Sequence, residues 1–132
     1  MITVKQALEA LESLSSIIAG DRKDSFILSS AVRIRIAGQL RRLRPISEEF
    51  NTERNALLKG LGTLNKEGTS YDLGANKERF EAELKTLLDE PTEINELIKL
   101  TNDELFGKPE GKQNQIDMVI VESLIGLGIL PE

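Results

Sequence analysis

The 132-residue chain contains no cysteine, no histidine and no tryptophan. Without cysteine there is no disulfide and no thiol chemistry. Without thiolate and imidazole together, the ordinary ligand sets of zinc, iron–sulfur and haem sites are missing. The Ser-His-Asp and Cys-His nucleophile arrangements also fall away, because both need an imidazole base. Four Phe and one Tyr are the only aromatic side chains, which leaves little for stacking on nucleobases. No apolar run approaches the roughly 20 residues of a membrane helix, and the first ten residues show no signal-peptide pattern. The expected location is therefore the cytoplasm of the cell that makes the protein, with no membrane partner and no cofactor.

What is present is charge, unevenly placed. The net charge is −5. Residues 1–66 carry 11 basic and 7 acidic side chains, and residues 67–132 carry 6 and 15, so the halves stand at +4 and −9. Folded back on each other, they attract. The length fits one domain, 1–132, which can bury roughly two-thirds of the surface of its unfolded form.

Helical patterning dominates the chain. Thr3 and Gln6 form a T-x-x-Q capping box ahead of Val4, Ala7, Leu8, Leu11, Leu14 and Ile18, which share one helical face. The pattern predicts a helix over 3–19 that ends at Gly20 in a left-handed cap, followed by a polar turn at 21–25. Over 26–64, Ile36, Leu43, Phe50, Leu57 and Leu64 recur every seven residues, a heptad stripe of coiled-coil character. The companion positions Leu40, Ser47, Arg54 and Leu61 are apolar only at the ends. Pro45 interrupts this segment, yet the stripe keeps its register across it, so a kinked continuation is favoured over two separate helices. Four glycines within 60–76 mark a hairpin tip, and Asn76 is a fitting N-cap. Phe80, Leu84, Leu87 and Leu88 predict a further helix, which Pro91 ends. Residues 92–106 are ambiguous, with Ile94 to Leu100 reading as a short strand, in a β-hairpin or an edge pairing, or as an irregular last helical turn, and 107–114 read as a loop. Residues 115–126 form a strongly apolar helix. The architecture predicted is all-α, with at most a very short β element near 92–100. An antiparallel helical hairpin of 27–64 and 76–90 has its open end covered by N- and C-terminal helices.

No motif forecasts catalysis. The Gly-rich turn lacks the phosphate-loop pattern and no strand precedes it. Asn65, Glu67, Thr69 and Tyr71 alternate oxygen ligands, but the glycine and the bidentate glutamate of a calcium loop are missing. The acidic pairs Glu48–Glu49, Glu81–Glu83, Asp89–Glu90 and Asp103–Glu104 read as solvated faces, since a two-carboxylate site needs convergence in one pocket.

Arg33, Arg35, Arg41, Arg42 and Arg44 fall within twelve residues that hold no acid. At about 100° per residue, Arg44 lies about 20° and Arg41 about 80° from Arg33, while Arg35 and Arg42 lie near 180–200°. The heptad residues centre near 280°, between the two groups. Arginines that flank an apolar seam on both sides meet acids on a neighbouring helix, as e and g charges do. Pairing within the chain or with a partner protein is therefore favoured over a nucleic-acid footprint. Arg54 interrupts the stripe and either sits at its hydrated edge or forms a register-setting pair with an acid of the 77–90 helix, with the edge favoured. Leu127, Ile129 and Leu130 are either a lid on the chain's own core or a docking surface, with the lid favoured.

The segment F-x-x-E-L-x-x-L-L at Phe80, Glu83, Leu84, Leu87 and Leu88 is followed by Glu93-Ile94, Ile98-Lys99-Leu100, Leu105 and the apolar run Ile116 to Ile125. Over residues 27–125 this order resembles a group of small helical proteins of tailed bacteriophages, which carry no assigned activity. Pro45 and the five-Arg segment depart from that group. The resemblance implies a phage context. The expected function is that of a non-enzymatic phage protein acting through protein–protein contacts, in virion assembly or as a structural component. The alternatives are a small inhibitor or regulator bound to a host protein, and a nucleic-acid-binding accessory protein using the Arg33–Arg44 cluster. Candidate contact residues are Arg33, Arg35, Arg41, Arg42, Arg44, Leu127, Ile129 and Leu130.

Overall fold

A computed structural model describes residues 1–22, 28–107 and 114–132. Among the described residues the chain is mostly helical: α1 (Val4–Arg22), α2 (Ser30–Leu61), α3 (Lys77–Asp89), α4 (Asn102–Phe106) and α5 (Met118–Gly126). A two-stranded antiparallel ribbon, β1 (Thr63–Leu64) and β2 (Tyr71–Asp72), joins α2 to α3.

Helix α1 opens on the expected capping box, with the Gln6 amide donating to Thr3 Oγ1 at 3.2 Å and the Thr3 amide to Gln6 Oε1 at 2.9 Å. It runs past Gly20 to Arg22 instead of stopping there. The reason is tertiary. Ile17 and Asp21 continue the buried face, and the Asp21 carboxylate accepts the Leu28 amide at 2.9 Å and Arg33 Nη1 at 3.3 Å. Anchoring beyond the glycine outweighs the roughly 1 kcal/mol that Gly costs inside a helix.

The expected start of the long helix at 26–27 and most of the 21–25 turn lie outside the described residues. Leu28 and Ser29 precede α2, and Ser29 Oγ caps it by accepting the Val32 amide. Helix α2 is continuous over 32 residues with Pro45 inside it. The ring removes the donor that would bond the Arg41 carbonyl. Both residues are exposed, so water can satisfy that carbonyl while the opposite face, at Leu43, stays buried. The helix stops at Leu61, short of the expected 64. Leu64, the fifth stripe residue, lies in β1 and is 51% exposed.

Asn65 organises the ribbon turn: its Oδ1 accepts the Thr69 amide and its Nδ2 donates to Thr69 Oγ1 and Ser70 Oγ. The alternation read for calcium is thus hydrogen-bonded within a turn. Asn76 does not cap α3 with its side chain. Its Nδ2 donates to the Leu61 carbonyl at 2.8 Å, which ties the end of α2 to the start of α3 and satisfies a helix-terminal acceptor.

The core gathers at one end of the molecule. Ala7, Ala10, Leu14 and Ile17 of α1 pack with Val32, Ile36, Leu40 and Leu43 of α2, and the alanines let the two axes approach closely. Ile94, Leu97, Leu100, Leu105 and Leu124 close the cluster. Residues 92–101 form neither strand nor helix. Thr3 and Pro91 make an isolated antiparallel bridge, flanked by bonds from the Ile2 amide to the Ile94 carbonyl and from the Thr92 amide to the Ile2 carbonyl. Residues 102–106, left open between two irregular readings, form a short true helix with a capping box of Thr101 and Glu104. Most of the loop expected at 107–114 lies outside the described residues. Helix α5 begins at Met118, later than expected, because Asp117 caps it through Oδ1 on the Val119 amide.

Candidate functional site

The arginine cluster divides in two. Arg33 turns to Asp21 on α1. Arg35 reaches Glu104 of α4 with one nitrogen and the Lys99 carbonyl with the other. These two arginines serve the interior of the molecule, and Glu104 is one of the acids that the second half supplies. The Glu104 carboxyl is held below its ordinary value of 4.5, chiefly by the Thr101 amide it accepts; burial opposes this, and the Arg35 charge lowers it further. Arg41, Arg42 and Arg44 are exposed and have no ion-pair partner among the described residues. Arg54 is likewise exposed on the hydrated side of α2.

The tail is a lid. Ile129 and Leu130 are 1% and 3% exposed, and Leu127 packs half-buried against the same cluster. The Leu100 amide donates to the Ile129 carbonyl at 2.7 Å, and the Leu130 amide donates to the Leu124 carbonyl. Ile129 and Leu130 therefore offer no free docking surface, which corrects their placing among the contact candidates, while Leu127 stays half-buried.

The open surface lies elsewhere, along the second half of α2. A groove of about 560 Å³ runs between α2, the end of α3 and residues 90–94. Its floor is apolar: Val4, Pro45, Ile46, Phe50, Leu87 and Ile94. Its rim is acidic, with Glu49 and Glu53 from α2 and Glu90 and Glu93 from the segment after α3, and Arg42 as the single cation. A shallower continuation of about 250 Å³ shares Glu53 and Leu87 and adds Leu57, Glu83 and Thr86. Leu57 lies near Glu83, and Phe50 near Leu87 and Glu90, which is the antiparallel register of the hairpin.

Each part of this groove has a local cause. Phe50 and Leu57 continue the heptad stripe after Ile36 and Leu43 have entered the core, so they stay half-buried. Leu87 is the matching apolar position on α3. Pro91 stops α3 and sends the chain across α1 at the Thr3–Pro91 bridge, which walls the near end with Val4 and Ile94. Among the four rim carboxylates none has an ion-pair partner among the described residues, whereas Glu83 is engaged by Arg79 at 3.3 Å. The sequence named Glu49 and Glu90 only as members of solvated pairs. The missing signal was long-range: their convergence depends on the chain reversal at 62–76 and on the redirection at Pro91.

Among the described residues no group of three or more carboxylates is placed to hold a metal ion, and no helix is long and apolar enough to cross a membrane. What the surface can do is desolvate an apolar ridge while presenting negative charge on either side of it. No known protein family, curated protein or solved structure matches this chain.

Proposed function

We propose that this chain is a non-enzymatic protein-binding module of a phage, acting in virion assembly or as a structural component through the groove between α2 and α3. One observation carries the reading. Phe50, Ile46 and Leu87 form an uncovered apolar floor beneath carboxylates that have no ion-pair partner among the described residues. Uncovered apolar surface ringed by charge is what a protein-contact site presents, and a groove between helices suits an amphipathic helix. The phage setting follows from the sequence resemblance alone. The nucleic-acid reading draws less support, because Arg33 and Arg35 are engaged internally and Glu48 and Glu49 follow directly on the remaining three arginines.

The test is a nuclease-treated pull-down of the tagged chain from producing cells, read by mass spectrometry, with Phe50→Asp in parallel. The expected result is recovery of capsid, portal or tail proteins by the wild type and their loss with Phe50→Asp. A single host protein recovered at equal stoichiometry would replace the assembly role with that of an inhibitor. Recovery unaffected by Phe50→Asp would move the contact away from the groove.

A further inference from the structure

Helix α2 carries two charge blocks in succession on the side away from the core. Arg41 and Arg42 stand before Pro45, and Glu49 and Glu53 stand after it; all four are exposed and none has an ion-pair partner among the described residues. The midpoint of the four positions falls near Ile46, on the groove floor. A helix of this kind is complementary to itself when reversed.

We infer that the occupant of the groove is a second copy of this chain, with α2 of each copy packed antiparallel on α2 of the other about a two-fold axis near Ile46. This rests on the groove being a protein-contact surface. The two-fold sets Arg41 and Arg42 of one copy opposite Glu49 and Glu53 of the other, and does so twice, as an isologous interface requires. Glu90 and Glu93 widen the acidic side that receives each basic block. The same register accounts for a residue that nothing inside the monomer explains. Ile34 is 68% exposed on α2, twelve residues before Ile46. The reversal sets it level with Leu58 of the other copy, so the last turns of the second α2 lie alongside it. A foreign basic helix would satisfy the carboxylates but would leave Arg41, Arg42 and Ile34 unpartnered. A second copy satisfies both blocks at once.

The experiment is sedimentation velocity on the full chain and on two charge-reversed variants. One variant carries Arg41→Glu with Arg42→Glu, the other Glu49→Arg with Glu53→Arg. All four positions are exposed, so circular dichroism should show each variant with its helix content intact. The wild type is expected to form a dimer whose dissociation constant rises at least about tenfold from low to molar salt, because the pairing is screened. Each variant alone should be monomeric, since like charges then face each other at both ends. An equimolar mixture should form a heterodimer, because the reversed blocks are complementary. A wild type that stays monomeric, a dimer indifferent to both reversals, or a mixture that fails to associate would each overturn the self-pairing. A monomer that still captures another protein in a Phe50-dependent way overturns the self-pairing and leaves the groove reading standing; loss of both ends both.

Discussion

Asp21 is the carboxylate that fixes where α1 meets the start of α2. Its side chain is 7% exposed, and it accepts both the Leu28 amide and Arg33. Removing it leaves the Leu28 N–H without an acceptor in a dry place. Asp21→Ala is expected to lower stability by about 1–3 kcal/mol, read from urea unfolding. Arg33→Ala should cost clearly less, because its end of the pair is 45% exposed and exposed pairs contribute little. Gln39 is a second polar group in the interior: Oε1 accepts the Ile98 amide at 3.0 Å, while Nε2 is buried without a partner among the described residues. It holds the extended segment against α2 at the expense of one idle donor. Among apolar residues, Leu14→Ala, at a fully buried site, should cost about 2–5 kcal/mol. Leu64→Ala, at a half-exposed site, should stay within about 0.5 kcal/mol.

At the scale of elements, Pro45 is the costly residue of α2. It removes one helical hydrogen bond in the middle of a 32-residue helix. Pro45→Ala is expected to stabilise the chain by up to about 3 kcal/mol, again by urea unfolding. Helix α4 depends on its capping box. Glu104 has a folded-state pKa below its ordinary value, held down first by the Thr101 amide and then by Arg35. The stability it contributes is therefore complete above its ordinary value and is lost as pH falls through the depressed folded value. Wild type and Glu104→Gln should show separate melting temperatures at neutral pH that converge below pH 4.5. The physics also explains which elements could be read ahead. The Thr3–Gln6 box, the hairpin tip and the Pro91 stop depend on neighbours within a few residues, and the sequence displays them. The Thr101–Glu104 box and the Asp117 cap are equally local, and were legible but hidden by the strand-like run before one and the apolar run beside the other. The continuation of α1 past Gly20 was not legible, because Leu28 and Arg33 supply the reason from further along the chain. The groove was legible only in fragments: Phe50, Leu57 and Leu87 as apolar spacings, and Glu49 and Glu90 as charges without a shared location.

At the scale of the molecule, the main core occupies one end and the hairpin of α2 and α3 extends from it with a seam that is half-buried apart from the buried Phe80. Amides on 50–61 of α2 should therefore exchange with solvent through lower-energy openings than those on 32–43, despite belonging to one helix. Native-state hydrogen exchange by mass spectrometry would resolve the two halves. Equal protection along α2 in the isolated monomer would count against this division.

The extended run 91–100 has no regular structure of its own, and both remote ends of the chain are stitched to it: Ile2 bonds to Thr92 and Ile94, and Ile129 bonds to Leu100. Such a run has little to hold it until partners some 90 residues earlier and some 30 residues later in the chain have arrived. That makes it a clock for folding. Helix α1 and the first half of α2 are neighbours in sequence and can form and dock early, whereas closing the long loops that seat residues 92–100 is slow. In a refolding experiment with pulsed isotope labelling, the amides of Thr92 and Leu100, which donate to Ile2 and Ile129, should gain protection last, and together.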